Sequence, residues 1–378
     1  MYNIVYTNEN PDWPVDIFHR YYVHSQLSPS LIDTDRYLIT DDAVDNLQDN
    51  TFIYPNGKLD ENIVSKIKKL LNKKNFILIW NFDHEAFWGD DIKNLYKFLT
   101  DYNLPHEKVF VVQSDMNVEK TFDIARKEYD FDLDVNCVYL DAFIYQNMDV
   151  FFEDQTIIHR EHFDNKDVRD YIYVSYNGNP KPYRVKMVNE LINRGIDKYG
   201  LISLLREKNP LILDRKYIDH GDMSTQRYPI EHYSQTYFTL VTEGYFHTNG
   251  FPSHYTHISL KTEKIYKAML LNPYILLGGY GTLSQMRDLG FQTFPELFDE
   301  SYDDIKSAPK RFSKILDNVE SVCKMNRKKL NDLYHNELID KVKYNQDLFI
   351  NFDRERHSKT FFDQFEWKIW LMYVGFPT

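Results

Sequence analysis

Three stretches of this chain combine residue types and spacings that chemistry can use. The first is Thr262-Glu263-Lys264, a hydroxyl, a carboxylate and an ammonium in consecutive positions. Ile265, Ala268, Met269 and Leu271 behind them can share one helical face, so the triplet falls at a helix N-terminus. Backbone N–H groups are unpaired there and an anion is welcome; Thr262 itself has the chemistry of an N-cap. The second stretch, 177–184, reads N-G-N-P-K-P-Y-R. Asn177-Gly178 is a turn signal after an alternating strand pattern at 171–175, and Arg184 opens the next helix at the carboxyl edge of a sheet. A guanidinium fork can take two phosphate oxygens at once, while a solvated Arg at a helix start is the plainer use of the same residue. The third, N-F-D-H-E at 81–85, directly follows the apolar strand pattern at 76–80. Glu85 or Asp83 could take a proton from a hydroxyl, with His84 as a tuning neighbour. Capping the following helix is the competing role for either carboxylate.

Two further clusters carry less. His247, His254 and His257 fit no strong zinc spacing and have no cysteine nearby, so no metal is assigned to them. Asp130, Asp132 and Asp134 alternate with apolar residues in an Asp-x-Asp form that can hold a divalent cation, though such clusters are common on solvated surfaces.

The elements that must position these residues follow from periodicity. Residues 1–155 alternate strand-like runs (2–6, 36–40, 76–80, 109–113) with helical ones (61–73, 91–103, 118–129), the rhythm of a parallel sheet. The chain turns polar at 156–167, which predicts a domain boundary. Beyond it come strands at 171–175, 201–205 and 237–241, a helix at 184–194 and a polar loop at 218–234. After the helix that follows Thr262, Pro273 breaks the pattern and Tyr274-Ile275-Leu276-Leu277 reads as a short buried strand. Gly278-Gly279-Tyr280-Gly281 makes a turn free to take positive φ. A second short helix ends at Gly290, placed as a C′ glycine. Residues 311–326 and 328–349 are helical in pattern, and the aromatic segment 361–375 is expected to pack back on the body. The expected domains are 1–160, 168–310 and a helical tail at 311–378.

Composition bounds the function. The chain has 378 residues, enough for two domains. A net charge of −12 repels phosphate backbones, which disfavours nucleic acid as the main partner. The 29 Tyr and 26 Phe could line sugar sites, but a core role is the better use of them. No apolar run reaches the length of a membrane span. No G-x-G-x-x-G or P-loop is present. Two distant cysteines, Cys137 and Cys323, and a strand starting at residue 2 without a leader give a cytoplasmic expectation.

The run from Thr262 resembles a known motif. T-E-K before a hydrophobic helix, a Pro-containing turn and a short strand is similar to the donor-binding motif of the α-1,3-fucosyltransferases. The extended pattern, T-E-K-x-Y-K-A-x-L-x-x-P-Y-I-L-x-G, then L-x-x-x-R-x-L-G-F-x-T-F, then D-E-S-Y-D, resembles viral and bacterial glycosyltransferase-like proteins that share this domain. The likeness spans about 171–311. It implies an α/β fold with two Rossmann-like domains facing a cleft (GT-B) and a nucleotide-sugar donor, GDP- or UDP-linked, used as substrate with no tightly bound cofactor. It implies that Arg184 and Lys264 contact the diphosphate, that Glu263 contacts the nucleoside, and that Glu243, with Thr262, belongs to the same site. The acceptor would be a glycan or another hydroxyl compound, with a modified DNA base as one option. Transfer would be inverting and metal-independent. Two other readings compete: a Mn²⁺-dependent GT-A-type glycosyltransferase using Asp130, Asp132 and Asp134, and a non-catalytic carbohydrate-binding or viral structural protein.

Overall fold

The computed structural model describes residues 2–6, 32–38, 51–54, 61–72, 76–82, 89–115, 117–132, 134–139, 166–205, 211, 230–246 and 261–351. The chain divides into two compact units: described residues up to 139 belong to the first, and those from 166 to 351 to the second. Both are mixed α/β with parallel sheets. No helix among the described residues is long and apolar enough to cross a membrane.

The first unit holds six strands: β1 (Tyr2–Tyr6), β2 (Ile32–Leu38), β3 (Thr51–Tyr54), β4 (Phe76–Phe82), β5 (Val109–Gln113) and β6 (Asn136–Tyr139). They pair in the order β2-β1-β3-β4-β5-β6, every pair parallel. Helices α1 (Glu61–Leu71), α2 (Gly89–Asp101) and α3 (Val118–Glu128) supply the crossovers such a sheet needs. Their buried faces are Val64, Ile67 and Leu71, then Ile92, Leu95, Tyr96 and Leu99, then Val118, Phe122 and Ala125. The short strand β3 escapes the periodicity because four residues carry too little pattern.

The second unit holds β7 (Tyr173–Ser175), β8 (Gly200–Ile202), β9 (Phe238–Thr242) and β10 (Tyr274–Leu277), all parallel, in the order β10-β9-β7-β8. The chain steps from β7 outward to β8, then crosses back to β9 on the other side of β7. That reversal makes the carboxyl ends of β7 and β9 a topological switch point, where open α/β sheets leave a crevice. The β7–β9 ladder pairs Tyr173 with Phe238 and Val174 with Thr239 and stops there. Helix α4 (Pro182–Asn193) follows β7, α5 (Ile230–Ser234) precedes β9, and α6 (Glu263–Leu271) joins β9 to β10. Right-handed crossovers put α4 on one face of the sheet and α6 on the other. The expected loop at 218–234 thus contains a short helix at its end, its Tyr233 buried.

Helices α7 (Thr282–Asp288), α8 (Ala308–Cys323), α9 (Arg327–Leu333) and α10 (Ile339–Ile350) complete the second unit. α8 packs against α4, and α10 against α6. α6 is therefore buried on nearly every side, and only Lys264 reaches solvent. Gln346 Nε2 on α10 donates to the Leu270 carbonyl, and the Tyr266 and Phe349 rings lie 6.2 Å apart. The helical pattern expected at 328–349 is divided by a π-helical turn, Tyr334–Leu338, where the Arg169 guanidinium sits 4.3 Å over the Tyr334 ring. The segment at 361–375 lies outside the described residues.

Much of the aromatic excess is core. Tyr173, Tyr237, Tyr266, Tyr274, Tyr302 and Tyr334 are fully buried in the second unit, and Tyr96 in the first. The D-E-S-Y-D run is structural at every position but one. Asp299 caps the turn that follows through Ser301 N–H, and Glu300 takes Arg287, Thr293 and Phe294 N–H. The Tyr302 hydroxyl accepts Leu276 N–H, and Asp303 accepts Leu283 and Ser284 N–H at the start of α7.

Candidate functional site

The site begins where β7 ends. Asn177, fully buried, ties three strand ends together. Its backbone N–H donates to Ser203 Oγ (3.1 Å), its Nδ2 to the Ser203 carbonyl (3.0 Å), and its Oδ1 accepts the Thr242 hydroxyl (2.8 Å). The loop then rises to Pro182, the first residue of α4, whose fixed φ suits that position.

Arg184 follows one residue later, 3 % exposed rather than solvated. Its Nη2 donates to the carbonyls of Thr242 (3.0 Å) and Glu243 (2.9 Å), and its Nη1 to that of Asn179 (3.2 Å). Thr242 lies beyond the end of the β7–β9 ladder, so the guanidinium stands where a strand partner would otherwise be. Its Nε is buried without a partner. Tyr183 Oη donates to the Glu243 carbonyl (2.5 Å), and Lys181 Nζ to that of Gly244 (2.6 Å). Three side chains at the start of α4 thus hold three successive carbonyls after β9. Burial pushes the Tyr183 phenol up to about 12, so it acts as a donor throughout the ordinary pH range.

Glu243 is fully buried, and both carboxylate oxygens are in use. Oε1 accepts the N–H groups of Thr262 (3.2 Å) and Ile265 (3.3 Å). Oε2 accepts the Thr262 hydroxyl and Gly244 N–H (3.0 Å). Burial raises its carboxyl above the ordinary range, opposed chiefly by the Lys264 charge. Thr262 is the N-cap of α6, its Oγ1 facing Lys264 N–H at 3.4 Å. The expectation of unpaired N–H groups at this helix start is therefore corrected: a carboxylate from β9 and the cap already occupy them. An internal anion fills the place because the crossover brings the end of β9 against the start of α6.

Glu263 and Lys264 form an ion pair in which Glu263 is buried and Lys264 about one-third exposed. Burial works to raise the Glu263 carboxyl, but the charges of Lys264 and Lys267 and the Lys264 hydrogen bond outweigh it and hold it below the ordinary value. Lys261 and Lys267 are both buried, and Lys261 Nζ reaches Gln285 Oε1 at 3.3 Å. The three-residue spacing Lys261–Lys264–Lys267 was a legible signal of this basic ridge. Lys181 and Tyr183 were also in view, inside the stretch before Arg184, but nothing local says which carbonyls they reach.

In the first unit, Asp83, His84 and Glu85 lie outside the described residues, as do His247, His254 and His257 in the second half of the chain. Asp130, Asp132 and Asp134 are exposed. Asp130 takes φ 55° as the residue that stops α3, with Tyr129 N–H on the Ala125 carbonyl and Phe131 N–H on that of Arg126. Among the described residues no three His, Cys, Asp or Glu side chains are grouped to hold a metal ion. Sequence reading missed Gln113, at the carboxyl end of β5 beside Phe82 and Tyr139. Its amide is buried with neither nitrogen nor oxygen hydrogen-bonded.

Comparison with protein-family models, curated proteins and solved structures finds no match to this chain.

Proposed function

We propose that the second unit binds the diphosphate of a nucleotide sugar, and that the protein transfers the sugar to an acceptor hydroxyl as a fucosyltransferase-like glycosyltransferase of GT-B arrangement, two Rossmann-like domains facing a cleft. One observation carries the reading. Arg184 and the Thr262-Glu263-Lys264 triplet, far apart in sequence, are joined through Glu243 at the switch point of a parallel sheet. That is where such folds take ligands.

The charge arrangement supports an anion. The start of α4 carries Lys181 and Arg184 and has no acidic residue in its first turn. Cations at a helix N-terminus oppose the macrodipole, and a bound anion reverses that cost. In this reading Arg184 Nε and Lys264 meet the diphosphate, and Glu263 accepts the ribose hydroxyls. Glu85, or Asp83, deprotonates the acceptor from the other domain. Lys264 and Arg184 neutralise the leaving diphosphate, so displacement is direct, inverting and independent of a metal. The acceptor is a glycan or another hydroxyl compound.

A thermal-shift series with GDP, UDP, ADP and inorganic pyrophosphate tests the binding step, since a ligand that favours the native state raises the melting temperature. The expected result is a rise with at least one nucleoside diphosphate. No shift with any of them at millimolar concentration would refute the reading. Sugar transfer that survives EDTA would separate it from a Mn²⁺-dependent reaction.

A further inference from the structure

We infer that Glu243 is a positioning residue that couples the two cations of the proposed diphosphate site, Arg184 and Lys264, rather than a ligand of the donor. The inference rests on the nucleotide-sugar reading above. A residue that touches the donor needs a free polar atom, and Glu243 offers none. Its carboxylate accepts from Thr262 N–H, Thr262 Oγ1, Ile265 N–H and Gly244 N–H, and its carbonyl accepts from Arg184 Nη2 and Tyr183 Oη.

The two ends of this one residue reach different helices. Through its carbonyl it fixes the guanidinium at the start of α4. Through its carboxylate it fixes the first turn of α6, from which Lys264 projects. A shift of α6 relative to β9 must therefore move the carbonyl to which Arg184 is bonded. The consequence is that Arg184 and Lys264 do not act independently on an anion between them. Residues linked through one hydrogen-bonded network are the usual source of non-additive effects.

α7 is built the same way, with Asp303 accepting Leu283 and Ser284 N–H. Two helices that start at this edge of the sheet are thus closed by internal carboxylates. The start of α4, with its buried Arg184 Nε, has no such acid and remains the place for an external one.

The test is a double-mutant cycle on inorganic pyrophosphate and GDP or UDP affinity, measured by calorimetry. Arg184→Ala and Lys264→Ala are made singly and together, in the parent and in Glu243→Gln. Gln keeps the size of Glu but replaces one acceptor oxygen with a donor, which cannot serve Thr262, Ile265 and Gly244 N–H together. Expected is a loss of about tenfold in affinity for Glu243→Gln alone. The Arg184 and Lys264 losses should be non-additive in the parent and additive in Glu243→Gln. Faster amide exchange at Thr262 and Ile265 should accompany the change. If Glu243→Gln does not fold, Thr262→Val removes the hydroxyl that meets Oε2 and should weaken the coupling in the same direction. Affinity and coupling unchanged in these variants, with the parent binding normally, would overturn the positioning role alone. A parent that binds neither pyrophosphate nor any nucleoside diphosphate would overturn the donor-site reading and this inference with it.

Discussion

Replacing Arg184 with Met keeps an unbranched apolar stem and removes the guanidinium, which separates its two roles. The structural loss can be counted from its partners. The Glu243 carbonyl keeps the Tyr183 hydroxyl at 2.5 Å, and the Asn179 carbonyl keeps Lys181 N–H at 2.8 Å. The Thr242 carbonyl, past the end of the β7–β9 ladder, is the acceptor that loses its donor. One orphaned buried acceptor costs about 1–3 kcal/mol. Removing a buried charge with an unpartnered Nε returns part of that desolvation cost, so a net loss of about 1–2 kcal/mol is expected. The binding loss is separate: one charge-assisted hydrogen bond is worth about 1.5–3 kcal/mol, or about 10–150-fold in Kd. Urea unfolding followed by circular dichroism reads the first effect, and calorimetry with inorganic pyrophosphate the second. A protein that unfolds at a lower urea concentration yet binds pyrophosphate within about twofold of the parent would refute the anion role and leave Arg184 as a purely structural tie. An unchanged unfolding midpoint would refute the count of hydrogen bonds.

Three further outcomes follow from other parts of the structure. A Cβ at Gly200 would lie 2.3 Å from Tyr173 Cζ, in a buried ring stacked 5.7 Å from Phe238. Gly200→Ala should therefore cost about 1–3 kcal/mol by overpacking, and an unchanged urea midpoint would contradict the close approach. Burial raises the Glu243 carboxyl, so the folded protein holds its proton to higher pH than the unfolded chain does. Its stabilising contribution is full below the ordinary Glu value of 4.5 and is lost as pH rises through the folded value. Stability of Glu243→Gln measured against pH should lack that decline, and parallel curves for the two proteins would contradict it. Gln113→Leu removes a buried amide that has no partner and should leave stability unchanged or raise it. A loss above about 1 kcal/mol would mean that the amide is bonded after all.

The sequence by itself determined what depends on neighbours along the chain. The strand at 274–277, the helix after Thr262, the N-cap role of Thr262 and the stop at Gly290 (φ 92°) all follow from residue type and spacing within one or two turns. The parallel α/β character was legible for the same reason, since buried strands and amphipathic helices alternate visibly. Tertiary structure alone decided which ends meet. That β9 lies beside β7, and that its carbonyls run on past the β7 ladder, depends on strand order, which no local pattern encodes. Arg184 accordingly read as a solvated helix-start residue or a phosphate ligand, and is instead buried on the carbonyls of Thr242 and Glu243. Glu243 read as a companion of the donor site, and its carboxylate is spent on the N–H groups of a helix that starts nineteen residues later. The physical reason is common to both. A buried charge must find its partners wherever the crossover connections bring donors and acceptors, and those partners are set by the packing of the sheet rather than by position along the chain.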